Sequence, residues 1–401
     1  MDVLVLNCGS SSIKFQLIDM ENKVVIAKGK CDAIGYGTSH ISYTNARDNY
    51  KNELDVAMPT HKEAIQAIFD NLMDPTYGVI SSLDDISAVG HRIVHGGEKF
   101  SQAVLITDEI LDEIRGVSNL APLHNPLCIM GVEAIKSIAP NLKNVGVFDT
   151  AYHQTMPDFN YLYAIDYHYY EKYGIRKYGF HGSSYMFVIK RLAQILNKPV
   201  ENINAIICHL GGGASACAIK NGKSYDTSMG LTPLEGLIME TRSGDLDPAI
   251  VTKIMREENL NCDQIDEILN KKSGRVGLCG IGDQRELVEA ANSGNKRAIL
   301  TRNMQSNVVK KYIGSYIAEL NNVDALVFTG GIGENDEEER EAILNNMESV
   351  GIELDSSANI EGSRKESKIS KETSKIPVYI IPTNEELEIA KQTVGVITNA
   401  N

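Results

Sequence analysis

Apolar and polar residues alternate from the second residue of the chain. Val3 and Val5 fall on one face and Leu4 and Leu6 on the other; beyond a Gly-Ser turn, Ile13, Phe15 and Leu17 recur at every second position. Period two is the spacing of a strand, so residues 2 to 19 predict a strand, a tight turn at Gly9 to Ser12, and a second strand. A Walker-type phosphate loop instead leads into a helix and carries Lys followed by Ser or Thr, whereas Lys14 lies in the outgoing strand. Backbone N–H groups around Gly9 and the hydroxyls of Ser10, Ser11 and Ser12 suit phosphate oxygens, with Lys14 adding positive charge. A plain Gly-Ser hairpin satisfies the same pattern.

The pattern recurs in mid-chain, where AIICHLGGGASACAI, residues 205 to 219, runs apolar into Gly211, Gly212 and Gly213, re-emerges extended, and reaches the turn Asn221-Gly222. Gly211, Gly213 and Ala216 also match the dinucleotide fingerprint GxGxxG/A. That fingerprint requires a helix after the glycines, and Ala216 to Ile219 reads as a short strand. Gly222-Lys223-Ser224 is a false Walker ending, since the motif's first glycine would fall at Cys217. Two phosphate hairpins about 200 residues apart suggest duplicated domains acting on one nucleotide. A third segment, ALVFTGGIGE at 325 to 334, predicts a buried strand ending in Gly330, Gly331 and Gly333, with a helix starting near Asn335. The acidic run Glu334 to Glu339 fits the first turn of that helix as a solvated face.

Composition narrows the picture. At 401 residues the chain exceeds what one core usually supports. The formal charge of −14 disfavours nonspecific binding to nucleic acid or anionic membranes, so a protein of this charge that handles anions must concentrate its cations locally. No run approaches the roughly 18 apolar residues of a membrane span, and the N-terminus enters a strand without a signal-peptide core, which predicts a cytoplasmic protein. Seven scattered cysteines without CxxC spacing predict reduced thiols, with Cys8 as a packing residue.

Nine segments, in order, carry a resemblance. They are NCGSSSIKF at 7 to 15, GHRIVHGG at 90 to 97, PLHNP at 122 to 126, FDTAYHQTMP at 148 to 157, YGFHGSS at 178 to 184, DTSMGLTPLEGL at 226 to 237, TRSGDLDP at 241 to 248, FTGGIGEN at 328 to 335 and PTNEEL at 382 to 387. Together they resemble the acetate kinase family of the acetate and sugar kinase, Hsp70 and actin superfamily. The resemblance implies an α/β fold of two duplicated ribonuclease H-like, actin-like ATPase domains with an interdomain active-site cleft. The expected domains are residues 1 to 150 plus 386 to 401, and residues 151 to 385, with the polar segment 355 to 376 as a surface excursion. A homodimer is also implied.

The implied activity is reversible transfer of phosphoryl from ATP to acetate, giving acetyl phosphate and ADP, with Mg2+ (or Mn2+) as cofactor. Acetate is already ionised at neutral pH, so the reaction needs no base. It needs cations and donors that bring two anions together in line. By resemblance Arg92 and Arg242 clamp substrate anions, a task suited to the bidentate guanidinium, and His181 donates to the transferring phosphoryl. His124, between Pro122 and Pro126, is implied at the site, and a structural role fits it equally. Asp149 and Glu385 are implied carboxylates for magnesium and its waters, with Asn7 interacting with the phosphoryl group or the metal. Val94, Leu123, Phe180 and Pro233 match the small-acid pocket. The implied nucleotide set is Ser12, Lys14, His209, Leu210, Gly211, Gly212, Gly213, Asp283, Gln284, Arg285, Gly330, Gly331, Ile332, Gly333 and Asn335.

Three positions depart from the family pattern. Gly212 stands where Asn is common, Glu240 where Gly is usual, and Tyr185 where His commonly follows the GFHG motif. The first two bear on the nucleotide, while the retained Gly330, Gly331, Ile332 and Gly333 favour ATP over pyrophosphate. Propionate differs from acetate by one methylene and remains an alternative substrate; HLGGGAS somewhat resembles the butyrate kinase form. A nucleotide-gated binding protein like Hsp70 or actin needs no small-acid pocket, and Arg92, Arg242 and His181 argue against it.

Overall fold

The computed structural model describes residues 1–122 and 124–399. Leu123, expected in the small-acid pocket, lies outside the described residues. The chain forms two compact units, one of Met1–Tyr152 with Asn384–Asn401 and one of His153–Thr383.

The first unit is built on a mixed eight-stranded sheet. Its strands are β1 (Asp2–Cys8), β2 (Ser12–Asp19), β3 (Val24–Asp32), β4 (His40–Asn45), β5 (Tyr50–Asp55), β6 (Ile86–Ile93), β7 (Val104–Leu105) and β8 (Asn144–Phe148), in the order β5-β4-β3-β2-β1-β6-β8-β7. The first five form an antiparallel meander, while β6 runs parallel to both β1 and β8. The period-two alternation of β1 separates two cores. Leu4 and Leu6 join Phe15, Leu17, Ile65, Ile68 and Phe69 on one face. Val3 and Val5 join Ala88, Val145, Val147, Ile389, Ala390 and Ile397 on the other. Burying each such side chain contributes about 1.5–3 kcal/mol, so a one-residue slip of β1 would exchange both cores. The helix His61–Leu72 covers the first face, started by a capping box between Thr60 and Glu63. The second face is covered by the C-terminal helix Glu385–Asn399, which presses so close to β6 that a Cβ on Gly90 would lie 2.4 Å from Thr393 Oγ1.

The second unit repeats the theme with six strands. They are β9 (Ala205–His209), β10 (Ser215–Lys220), β11 (Lys223–Thr227), β12 (Ala325–Thr329), β13 (Ser367–Lys368) and β14 (Val378–Ile380), ordered β11-β10-β9-β12-β14-β13. In both sheets the leading strand, β1 or β9, has its antiparallel hairpin partner on one side and a parallel strand on the other. The strands β9 and β12 are buried throughout, as expected of parallel strands covered on both faces. Asn221 and Gly222 both have positive φ, 52° and 72°, which closes the two-residue turn from β10 to β11.

Three expectations are corrected. The helix after β12 begins at Gly330, where Thr329 is its extended N-cap, and a second helix, Glu337–Leu344, follows a break at Asp336. Asp336 makes that break by accepting the Glu339 N–H through its own side chain. The segment 355 to 376 holds the helix Ser356–Glu361 and the edge strand β13 rather than a loose excursion. It is ordered by the fully buried Arg340, which donates to the Asn359 side chain and carbonyl. Glu385, placed by sequence in the second domain, opens the C-terminal helix and belongs to the first unit with Asn384, whose side chain accepts from Leu387 N–H.

Candidate active site

In the first unit the β1–β2 register sets Asn7 directly opposite Lys14. The turn between them is closed by Gly9 N–H donating to the Ser12 carbonyl at 2.7 Å, and His61 Nε2 donates to the Gly9 carbonyl at 2.8 Å. Asn7, Lys14, Arg92 and Glu385 line one pocket of about 280 Å³. Arg92, on β6, is held by Asp149, which follows β8: Nη2 lies 2.6 Å from Oδ2, and Nε lies 3.0 Å from each carboxylate oxygen. Because Asp149 is buried, its charge raises the Arg92 pKa and keeps the guanidinium ionised. Burial pushes the Glu385 carboxyl upward and Arg92 opposes that shift.

Among the described residues no group of three or more His, Cys, Asp or Glu is placed to hold a metal ion. The donor set still fits magnesium, which takes one or two carboxylates and completes its shell with water and phosphate oxygens. Glu385 and Asn7 share a pocket, and a cation would relieve the cost of ionising a desolvated Glu385. Asp149 is the less available carboxylate, because both of its oxygens are engaged by Arg92.

In the same unit, His124 is the N-cap residue of the helix Asn125–Ile138 without a side-chain cap bond, and Val94 packs against the core containing Ile93 and Phe148. Sequence reading missed the fully buried Asn125, whose side chain accepts from His95 N–H at 3.0 Å and donates to the His95 carbonyl at 2.9 Å. That clasp joins the GHRIVHGG and PLHNP motifs. Both contain the residues, but pairing across 30 positions leaves no periodic trace.

In the second unit three segments converge on Gly213. A Cβ there would lie 3.6 Å from His181 Nε2 and 3.7 Å from Arg242 Nη1, so both side chains border the space that the bare glycine leaves. His181 reaches it from the left-handed region, φ 58°, at the head of the helix Gly182–Leu196. Such a backbone costs a non-glycine residue about 1–3 kcal/mol. Its ring stacks on His209 with centroids 4.2 Å apart, and its Nδ1 is 2.8 Å from Ser215 Oγ. Ser215 Oγ is in turn 2.5 Å from the hydroxyl of the buried Tyr185. The preceding residue, Phe180, is fixed by His153: Nε2 donates to the Phe180 carbonyl at 2.8 Å, and Nδ1 accepts from Ser224 Oγ at 2.7 Å. Burial brings the His153 pKa down to about 4, so the ring stays neutral.

Arg242 differs from Arg92 in having no carboxylate partner among the described residues. Its Nη1 donates to the Pro233 carbonyl at 3.2 Å, which brings those two predicted residues together, and burial lowers its pKa. A half-buried cation without a counterion suits an anionic substrate.

The nucleotide set divides by role. Gly211, Gly212, Asp283, Gln284, Arg285, Gly331, Ile332 and Asn335 line a pocket of about 660 Å³. Leu210 acts as a clamp: its carbonyl accepts from Ile332 N–H at 2.7 Å and Gly333 N–H at 3.1 Å, so those two amides shape the loop. Gly330 has φ 78°, and a Cβ there would lie 2.8 Å from the Leu210 carbonyl oxygen, which restricts the position to glycine. Asp283 caps the helix Gln284–Asn292, and its bonds to the Arg285 side chain and the Arg285 and Glu286 amides hold its pKa down to about 2.

Two mixed sheets of the α/β class, each led by a hairpin, with a glycine loop beside an arginine that no carboxylate among the described residues neutralises, are the arrangement of a phosphotransferase. The acetokinase family model matches residues 2–391, and the chain belongs to that family. It is 52% identical to the acetate kinase of Dictyoglomus thermophilum over 99% of both chains. Solved structures agree: an acetate kinase from Porphyromonas gingivalis superposes with a TM-score of 0.95 at 46% identity, covering 99% of each chain. A propionate kinase from Francisella tularensis gives 0.92 at 40%, covering 98% of this chain and 99% of its own. The resemblance to the acetate kinase family and the actin-like α/β fold expected from the motifs are therefore correct.

Proposed function

We propose that the chain catalyses reversible, magnesium-dependent transfer of the γ-phosphoryl group of ATP to acetate. The acetate oxygen forms a bond to the γ-phosphorus while the bond to the β–γ bridging oxygen breaks, and ADP leaves with that electron pair. No proton moves, so the catalytic work is positioning and charge stabilisation. The observation that carries this reading is the convergence of His181 Nε2 and the counterion-free Arg242 on Gly213. These groups face the oxygens of the transferring phosphoryl. Arg92, oriented by Asp149, binds the acyl anion, and the pocket lined by Gly331, Asn335 and Asp283 takes the nucleoside. Glu385 and Asn7 would hold magnesium, which when bound neutralises phosphate oxygens. In this reading short apolar side chains meet the methyl group of acetate, for which Val94 of the first unit and Phe180 and Pro233 of the second are the described candidates, and His124 serves with Arg92.

The all-free state of the seven cysteines supports a reducing, cytoplasmic setting. Among the described residues no helix is long and apolar enough to cross a membrane. The working assembly is a homodimer. Trapping acyl phosphate as its hydroxamate, with acetate, propionate and butyrate each paired with ATP, GTP and pyrophosphate, tests the reading. Acetate with ATP should give the highest kcat/KM. Faster turnover of propionate, or turnover only with pyrophosphate, would replace the substrate or the donor.

A further inference from the structure

Glu240 stands over the second glycine of the Gly211 to Gly213 loop. A Cβ on Gly212 would lie 3.0 Å from its Oε2, and a Cβ on Gly282 would lie 3.0 Å from its Oε1, so the carboxylate occupies volume that glycines leave open on two sides. Its backbone is pinned there. Glu240 N–H donates to the Gly212 carbonyl at 3.0 Å, and its own carbonyl accepts from Val276 N–H at 3.0 Å. The side chain lines the 660 Å³ pocket and is exposed to it. Among the described residues its carboxylate makes no hydrogen bond or ion pair. Three other acids of the same pocket are engaged, Asp283 by Arg285, Asp336 by Gln284 and Glu338 by Arg302, while Glu289, on the helix Gln284–Asn292, shares the lack of a bonded partner but does not stand over the glycine loop.

The Glu240 charge is felt by Arg275 in the same pocket, but with no hydrogen bond of its own the carboxylate repels phosphates beside it and accepts from neutral donors. The part of a nucleotide joined directly to its phosphates is the ribose, whose 2′ and 3′ hydroxyls are such donors. We propose that Glu240 is a specificity residue that accepts a hydrogen bond from the ribose diol, so that the site selects ribonucleotides over deoxyribonucleotides and over inorganic pyrophosphate. The absence of a side chain at position 212 is what gives the carboxylate its place. The proposal rests on the assignment of this pocket to the nucleoside of ATP.

Equilibrium binding of ATP, 2′-deoxyATP, 3′-deoxyATP and inosine triphosphate to the full chain tests it, using the native protein, Glu240→Ala and Glu240→Gln. A bond to a charged acceptor predicts that the native protein binds at least one deoxy analogue about 10- to 100-fold more weakly than ATP. Glu240→Ala should bind ATP and that analogue alike, and Glu240→Gln, which keeps an acceptor, should recover part of the difference. Gly212→Asn, whose side chain displaces the carboxylate, should behave like Glu240→Ala. Equal binding of all ribose forms by the native protein overturns the proposal, as does discrimination that survives Glu240→Ala. A loss in Glu240→Ala that appears only in the ratio of ATP to inosine triphosphate moves the contact to the base and also overturns it. Acyl phosphate formation by the same native preparation is scored separately. Its absence sinks the phosphotransferase reading while the binding comparison still judges Glu240.

Discussion

The two arginines illustrate how one residue type takes two tasks. Arg92 is balanced by Asp149, whereas Arg242 has a carbonyl for company and no carboxylate. Replacing Arg242 with Ala should therefore lower kcat by about 10²–10³-fold with an unchanged circular-dichroism spectrum. Arg242→Lys, which keeps the charge and loses the fork, should recover little. A kcat within a few-fold of native in both variants would remove Arg242 from the chemistry. Tyr185 makes a subtler case. If Tyr185 donates to Ser215 and Ser215 to His181 Nδ1, the imidazole proton is placed on Nε2, the nitrogen nearest Gly213. Tyr185→Phe loses one buried hydrogen bond, so kcat should fall about tenfold with little change in the KM for acetate, and the pH profile of kcat should shift. A lower melting temperature with an unaltered pH profile would leave Tyr185 a packing residue. Most of these residues were legible because they sit inside short motifs. What sequence could not supply is which partner each holds, since Asp149 lies 57 positions from Arg92.

At the scale of elements, period-two runs bounded by glycine were legible as hairpins, because alternation survives whatever packs on each face. The acidic run before Arg340 was misread for the opposite reason. Charge pattern suggests a solvated first turn, and Glu337 to Glu339 do open a helix. But Glu339 and Arg340 are buried, with Arg340 donating to the Gly333 carbonyl and so bracing the glycine loop from behind. Glu339 accepts from Ser306 Oγ at 2.9 Å, and burial raises its pKa to about 7. A carboxyl raised above its unfolded value binds more protons in the native state, so its contribution is full below about pH 4.5 and is lost as pH rises through about 7. Glu339→Gln, neutral throughout, should flatten that part of the stability profile and be the more stable protein above pH 7, by an amount on the order of 3 kcal/mol. Chemical denaturation from pH 4.5 to 8.5 measures it. Parallel profiles for the two proteins would mean that Glu339 ionises in the native state as it does in the unfolded chain.

At the scale of the whole molecule, length, two glycine hairpins and their separation were enough to expect duplicated domains, and the two sheets repeat one strand arrangement. Surface assembly is a different matter, because sequence does not separate exposed from buried aromatics. The segment from 158 to 173 is a case in point. Phe159 is 70% exposed, and Ile165, Tyr167, Tyr169 and Tyr173 are each exposed by 45 to 56%. Tyr169 and Tyr173 stack on each other, and Tyr167 packs edge-on to Tyr170. Isolated exposed apolar residues are ordinary, whereas several within sixteen residues are a reason to test for a covering partner. Tyrosine, apolar in body and polar at its tip, suits an interface that must also be soluble when open. If a second copy of the chain covers it, light scattering should return twice the chain mass at micromolar concentration. Phe159→Ser with Tyr167→Ser should then lower the mass toward that of one chain without unfolding it. A native protein that is monomeric at that concentration would end the homodimer reading. A double variant that stays dimeric would move the interface to another face.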